Sequence, residues 1–244
     1  MRYAAVTQNG NLMLIGILQT GLAPEALSDT MGDYPDMFAR LLAGHGFTFR
    51  NFRVVEGDFP ASVKDCDGWL ITGSRHGAYE DHPWIPPLEQ FIRDCFAAKV
   101  PMVGVCFGHQ IIAQAMGGKV ERYAGGWAVG ATDYHFGDQT LTLNAWHRDQ
   151  VTVVPKGAKV VATNEFCANA ALLYDNAFTV QAHPEFRAEF VDGLMQTRGK
   201  GLVPDDLMAH ATDRLTQPLQ DQTMADQIAA FFKRPRARLP QLSE

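Results

Sequence analysis

Val103-Gly104-Val105-Cys106-Phe107-Gly108-His109-Gln110 decides the reading of this chain. It is a Gly-x-Cys-x-Gly unit between an apolar run, 101–105, and a run of helical character, 107–116. A strand entering such a unit and a helix leaving it make a sharp turn that lifts the central side chain above the end of a sheet. Glycine on either side lets the backbone take that turn. The lifted group here is a thiol. A helix N-terminus carries partial positive charge, which favours the thiolate, the nucleophilic form. Cys66, Cys95 and Cys167 lie in segments without this geometry and read as buried structural residues.

The second informative stretch is Phe178-Thr179-Val180-Gln181-Ala182-His183-Pro184-Glu185-Phe186. A buried-strand pattern runs straight into His-Pro-Glu. Pro184 discourages helix at His183, so the imidazole sits at a strand end. In parallel sheets, sites gather at the carboxyl ends of strands. Residues i and i+2 of an extended segment point the same way, so the Glu185 carboxylate reaches the His183 ring. Cys106 as nucleophile, His183 as base and then acid, and Glu185 as the group that orients the imidazole make the logic of acyl transfer. His109, three residues into the helix, falls beside the elbow, where its ring bonds the scaffold.

Working outward, short apolar runs alternate with helical patterns, the mark of parallel βαβ units. Strands are expected at 12–18, 47–55, 68–72 and 101–105, and helices at 36–43, 87–98 and 107–116. From 119 to about 164 the pattern changes to extended pieces of alternating polarity, at 130–136, 140–143, 150–154 and 159–163. These read as antiparallel, forming a flap or the far edge of the sheet. Segments 170–174 and 177–181 read as a hairpin around Asp175-Asn176. A closing helix begins at 186–195, and 200–232 reads as further helix, with Ile228, Phe231 and Phe232 on one face. The tail Lys233-Arg234-Pro235-Arg236-Ala237-Arg238 reads as a solvated end. The expectation is one α/β domain over 1–244, with a core of about 1–190 and a helical C-terminal extension of about 191–244.

The elbow and the His-Pro-Glu segment together resemble the class I, triad-type glutamine amidotransferases. Leu70-Ile71-Thr72-Gly73-Ser74, followed by Ala78-Tyr79-Glu80-Asp81, is similar to the family's glycine-bearing oxyanion strand and its loop. The blocks come in the family's order, and the resemblance covers about residues 1–190. It is nearest to the stand-alone GMP-synthase-like proteins and their gamma-glutamyl-peptide-cleaving relatives. The resemblance implies a flavodoxin-like fold, with a mainly parallel central sheet flanked by helices and a small antiparallel edge. It also implies an oxyanion hole from the backbone N–H groups of Gly73 and Phe107, with Ser74 as the other donor candidate. Ser74, Gln110, Trp146 and His147 are the implied substrate contacts. Two departures stand out. Gly73-Ser74 replaces the common Gly-Gly-Pro, and Trp146-His147-Arg148-Asp149 replaces Ser-His-x-Asp. Arg75, His76, Tyr79, Glu80, Asp81 and Trp127 are placed on rim loops, which carry specificity.

The implied activity is hydrolysis of a gamma-glutamyl amide through a thioester on Cys106. Ammonia would pass to water or to a partner synthetase; the alternative is a gamma-glutamyl peptidase, and the third reading a non-catalytic binding module. The triad chemistry calls for no cofactor, and no phosphate-binding loop occurs. No metal is expected: no Cys-x-x-Cys pair occurs, and His82, His135 and His147 have no second ligand at a fixed offset. The 244 residues carry a formal net charge of −6, which argues against nucleic acid as a partner. The apolar run 12–18 is too short to cross a membrane. Four cysteines without a disulfide pattern fit a reducing cytoplasm.

Overall fold

A computed structural model describes residues 12–235. Seven strands form one sheet: β1 (Met13–Leu18), β2 (Phe47–Phe52), β3 (Gly68–Ile71), β4 (Met102–Val105), β9 (Lys159–Ala162), β10 (Ala171–Leu173) and β11 (Ala177–Val180). Their order is β2-β1-β3-β4-β11-β10-β9. β2 through β11 pair in parallel, and β10 and β9 close one edge antiparallel. β3, β4 and β11 are buried at every position, as strands covered on both faces must be.

Alternate residues of these strands feed two cores. Trp69 and Ile71 point to the side covered by α3 (Ile85–Ala97) and α4 (Phe107–Ala115), through Leu88, Phe91, Ile92, Ile111 and Ile112. Leu70, Val103 and Val105 point to the other side, against Phe38 of α2 (Tyr34–Leu41) and Met224, Ile228 and Phe232 of α7 (Asp221–Phe232). The C-terminal extension is therefore part of the core, because α7 covers one face of the sheet. Helices α1 (Glu25–Met31), α5 (Ala188–Leu194) and α6 (Asp205–Asp213) share a third apolar cluster beside the sheet end.

The expected strands and helices are present with shifted ends. α2 starts two residues early, because Asp33 caps it and Asp36 returns a bond to the Asp33 backbone N–H. The segment 200–232 is two helices with a break at 214–220, where Gln220 bonds the backbone of Thr142 instead. The 119–164 region divides three ways. β5 (Lys119–Arg122) pairs with β8 (Asp149–Val153), β6 (Ala128–Phe136) pairs with β7 (Gln139–His147), and β9 joins the main edge. Lys233, Arg234 and Pro235 of the tail are exposed, and the rest of it lies outside the described residues.

Candidate active site

β3, β4 and β11 are neighbours in register, Ile71 beside Gly104 and Val180 beside Val105. Their carboxyl ends consequently deliver Gly73, Cys106 and His183 to one spot. Cys106 sits at the N-terminus of α4 with φ 51° and ψ −102°, a conformation unfavourable for any residue bearing a side chain. The neighbouring glycines have a different reason to be there than expected. Neither Gly104 nor Gly108 has positive φ. A Cβ on Gly108 would meet the Ile71 carbonyl oxygen at 2.3 Å, and one on Gly104 would meet the Gly108 oxygen at 2.4 Å. The glycines let α4 press backbone-to-backbone against β3 and β4, and the thiol residue itself takes the strained dihedrals. Gly108→Ala is expected to cost about 1–3 kcal/mol or more, since the opposing atoms are main chain. Chemical denaturation measures it.

His183 Nδ1 lies 2.7 Å from Glu185 Oε1, and the two side chains are 4% and 1% exposed. Both residues are thus removed from water, and the carboxylate fixes the ring. The chain reaches this contact through a turn at Pro184-Glu185, not along an extended segment as expected. The Phe186 ring stacks on the imidazole at 4.0 Å and 5°. The β6–β7 hairpin clamps the same spot: the His183 N–H donates to Asn144 O at 2.8 Å, and Asn144 Nδ2 donates to Phe186 O at 2.8 Å.

Burial by itself would lower the His183 pKa. The facing Cys106 sulfur and then Glu185 outweigh it and raise the pKa to about 10. The imidazole is therefore cationic through neutral pH, paired with sulfur on one side and carboxylate on the other. Removing the sulfur charge leaves burial less opposed, so the His183 titration in Cys106→Ser is expected to move down from about 10. NMR titration of the ring detects this shift.

A Cβ on Gly73 would lie 2.8 Å from His183 Cε1 and 3.7 Å from Cys106 Cβ, so only glycine fits between them. Phe107 is fully buried, its ring 5.5 Å from Trp84. Ser74, Gln110, Trp146 and His147 line, with Cys106 and His183, a cavity of about 300 Å³. Gln110 Nε2 is committed to the scaffold, donating to Asp149 O at 2.8 Å and Gln181 Oε1 at 3.1 Å. His147 is driven down to about 3 by burial and then by His183, and so is neutral. His109 also falls to about 3 through burial, and its Nδ1 contacts Thr179 Oγ1 at 2.8 Å, the scaffold role expected of it.

The cavity also takes residues that the motifs did not single out. Tyr34 comes from α2, Arg122 from β5, and Arg198 from the helical turn after α5. Arg198 Nη2 holds the Leu22 carbonyl at 2.9 Å. No local sequence signal marks these residues, which only the fold brings together. One expectation is overturned: His82 does have companions, since ligand atoms of His76, Glu80 and His82 all lie within 4.8 Å of one another.

Residues 33–194 match the family described as Glutamine amidotransferase class-I. The chain belongs to that family. A gamma-glutamyl peptidase (number 4) of Arabidopsis thaliana is 32% identical over 185 residues, covering 68% of this chain and 73% of that protein. A glutamine-hydrolyzing GMP synthase of Petrotoga mobilis is 28% identical, covering 71% of this chain but 37% of the synthase. The crystal structure of a glutamine amido transferase from Methylobacillus flagellatus superposes with a TM-score of 0.71 at 25% identity, covering 91% and 92% of the two chains. Class-I glutamine amidotransferase membership accords with the parallel sheet and its antiparallel edge. The matched residues include Gly73, Cys106, His183 and Glu185.

Proposed function

We propose that this protein hydrolyses a gamma-glutamyl amide with Cys106 as nucleophile, His183 as base and acid, and Glu185 as the group that holds the imidazole. The observation that carries this reading is the line from the strained Cys106 through a buried, cationic His183 to Glu185 at 2.7 Å. The thiolate attacks the amide carbon, and the oxygen takes negative charge facing the N–H of Phe107 and the backbone after β3 at Gly73 or Ser74. Imidazolium donates its proton to the departing nitrogen, leaving a gamma-glutamyl thioester on Cys106. The now neutral His183 then takes a proton from water, which attacks the thioester and releases glutamate.

Two leaving groups fit this chemistry. With glutamine, ammonia leaves to water or to a partner synthetase, as the resemblance to a GMP synthase suggests. The cavity favours the second reading, a gamma-glutamyl peptide or conjugate. Arg75, Arg122, Arg148 and Arg198 line it together with Trp127 and Trp146. Arg148 Nε is buried without a hydrogen-bond partner among the described residues. Guanidinium groups recognise carboxylates; one serves the alpha-carboxylate that every gamma-glutamyl substrate carries, and the others remain for the second carboxylate that a peptide leaving group carries and ammonia lacks.

The test compares ammonia release from glutamine with glutamate release from gamma-glutamyl dipeptides, both on chelator-treated protein. Higher kcat/KM for dipeptides with a free carboxylate supports the peptidase reading. A preference for glutamine assigns the protein to ammonia production. No turnover of any gamma-glutamyl substrate, with no labelling of Cys106 by a glutamine analogue, would leave a binding module.

A further inference from the structure

We propose that His76, Glu80 and His82 form a binding site for a divalent transition cation, Zn²⁺ foremost, at the rim of the cavity. Glu80 Oε2 lies 3.4 Å from His76 Nδ1 and 2.8 Å from His82 Nε2. The two imidazoles meet edge to face with ring centres 4.1 Å apart. Zinc bonds nitrogen and carboxylate oxygen at about 2.0–2.2 Å, which sets neighbouring ligand atoms of a tetrahedron roughly 3.3 Å apart. The carboxylate oxygen stands close to that spacing from each ring nitrogen, and all three ligand atoms lie within 4.8 Å of one another. Two histidines and a glutamate are a donor set that borderline cations take, and three protein ligands leave one position open.

The cluster is also held in place. Successive short turns bond Glu80 N to Gly77 O at 3.0 Å, His82 N to Glu80 O at 3.1 Å and Ile85 N to His82 O at 3.0 Å. Trp84 backs both rings, stacked against His82 at 5.8 Å and edge-on to His76 at 5.9 Å. Binding thus requires little reordering of the loop. Arg75 is the neighbouring charge that opposes a cation. His76 and Glu80 belong to the wall of the cavity that holds Cys106.

A thiolate beside an imidazole also binds zinc, so the test is made in the Cys106→Ser background. Chelator-stripped Cys106→Ser protein is titrated with Co²⁺, read by visible absorption, and with Zn²⁺, read by competition with a chromophoric chelator. The expected result is one equivalent of each ion, without a sulfur-to-cobalt charge-transfer band. His76→Gln and His82→Gln, each checked for an unchanged circular dichroism spectrum, are expected to weaken binding by about 100-fold or more. Two variants are used so that one remains informative if the other misfolds. The proposal is overturned by wild-type binding that disappears in Cys106→Ser, which would place the ion on the triad. It is also overturned by no stoichiometric binding, or by binding that survives both histidine substitutions.

Discussion

Cys106→Ser is expected to lower hydrolysis of every gamma-glutamyl substrate by about 10³-fold or more, with the protein still folded. The exchange keeps the side chain's shape and the strained elbow, so packing against Gly73 and His183 changes little. What it removes is the sulfur that faces His183 at the helix N-terminus, the proposed nucleophile. The other three thiols have no such environment. Burial pushes Cys66 up to about 11 and Cys167 up to about 12, and raises Cys95 further, so all three stay protonated at neutral pH. Iodoacetamide is therefore expected to add once to wild type and not at all to Cys106→Ser, by intact mass. Replacement of Cys66, Cys95 or Cys167 by Ala should leave turnover largely intact. Near-wild-type turnover in Cys106→Ser would end the nucleophile assignment.

His183→Ala is expected to abolish turnover, and Glu185→Gln to reduce it by about one to four orders of magnitude. The carboxylate holds Nδ1 of the ring at 2.7 Å, which leaves the other ring nitrogen for sulfur. An amide at 185 holds the ring less firmly and no longer stabilises the cation. Because the three groups act as one unit, the double variant should be little worse than His183→Ala alone. The rate of Cys106 alkylation across pH reads this directly. An unchanged profile and unchanged turnover in His183→Ala would show that the ring does not serve the thiol.

Much of this arrangement is visible in the sequence, for reasons that differ by element. Strands such as β3 and β4 bury both faces, so they read as unbroken apolar runs bounded by turns. The elbow is equally plain, because close backbone contact admits only glycine at 104 and 108. Sequence alone places the freedom in those glycines, whereas the structure puts the unusual dihedrals on Cys106. Pairing in 119–164 is less readable, since alternating polarity reveals strands but not their partners. Asn144 and Arg198 carry no motif; they matter only because a hairpin and a late helical turn come to rest on the site. The His76, Glu80 and His82 cluster escapes a search for regular spacing, because a run of tight turns rather than one helix gathers it.

The dihedrals of Cys106 have a consequence for how this protein persists through mutation. A side chain held at φ 51° and ψ −102° carries a cost of about 1–3 kcal/mol that glycine at the same place would largely escape. Random substitution at position 106 is thus biased toward a quieter, more stable and inert descendant. A lineage under selection for folding alone would drift away from cysteine there. If the thiol is the nucleophile proposed above, demand for its reactivity is what opposes that drift, and the strained backbone at 106 is a record of that chemistry.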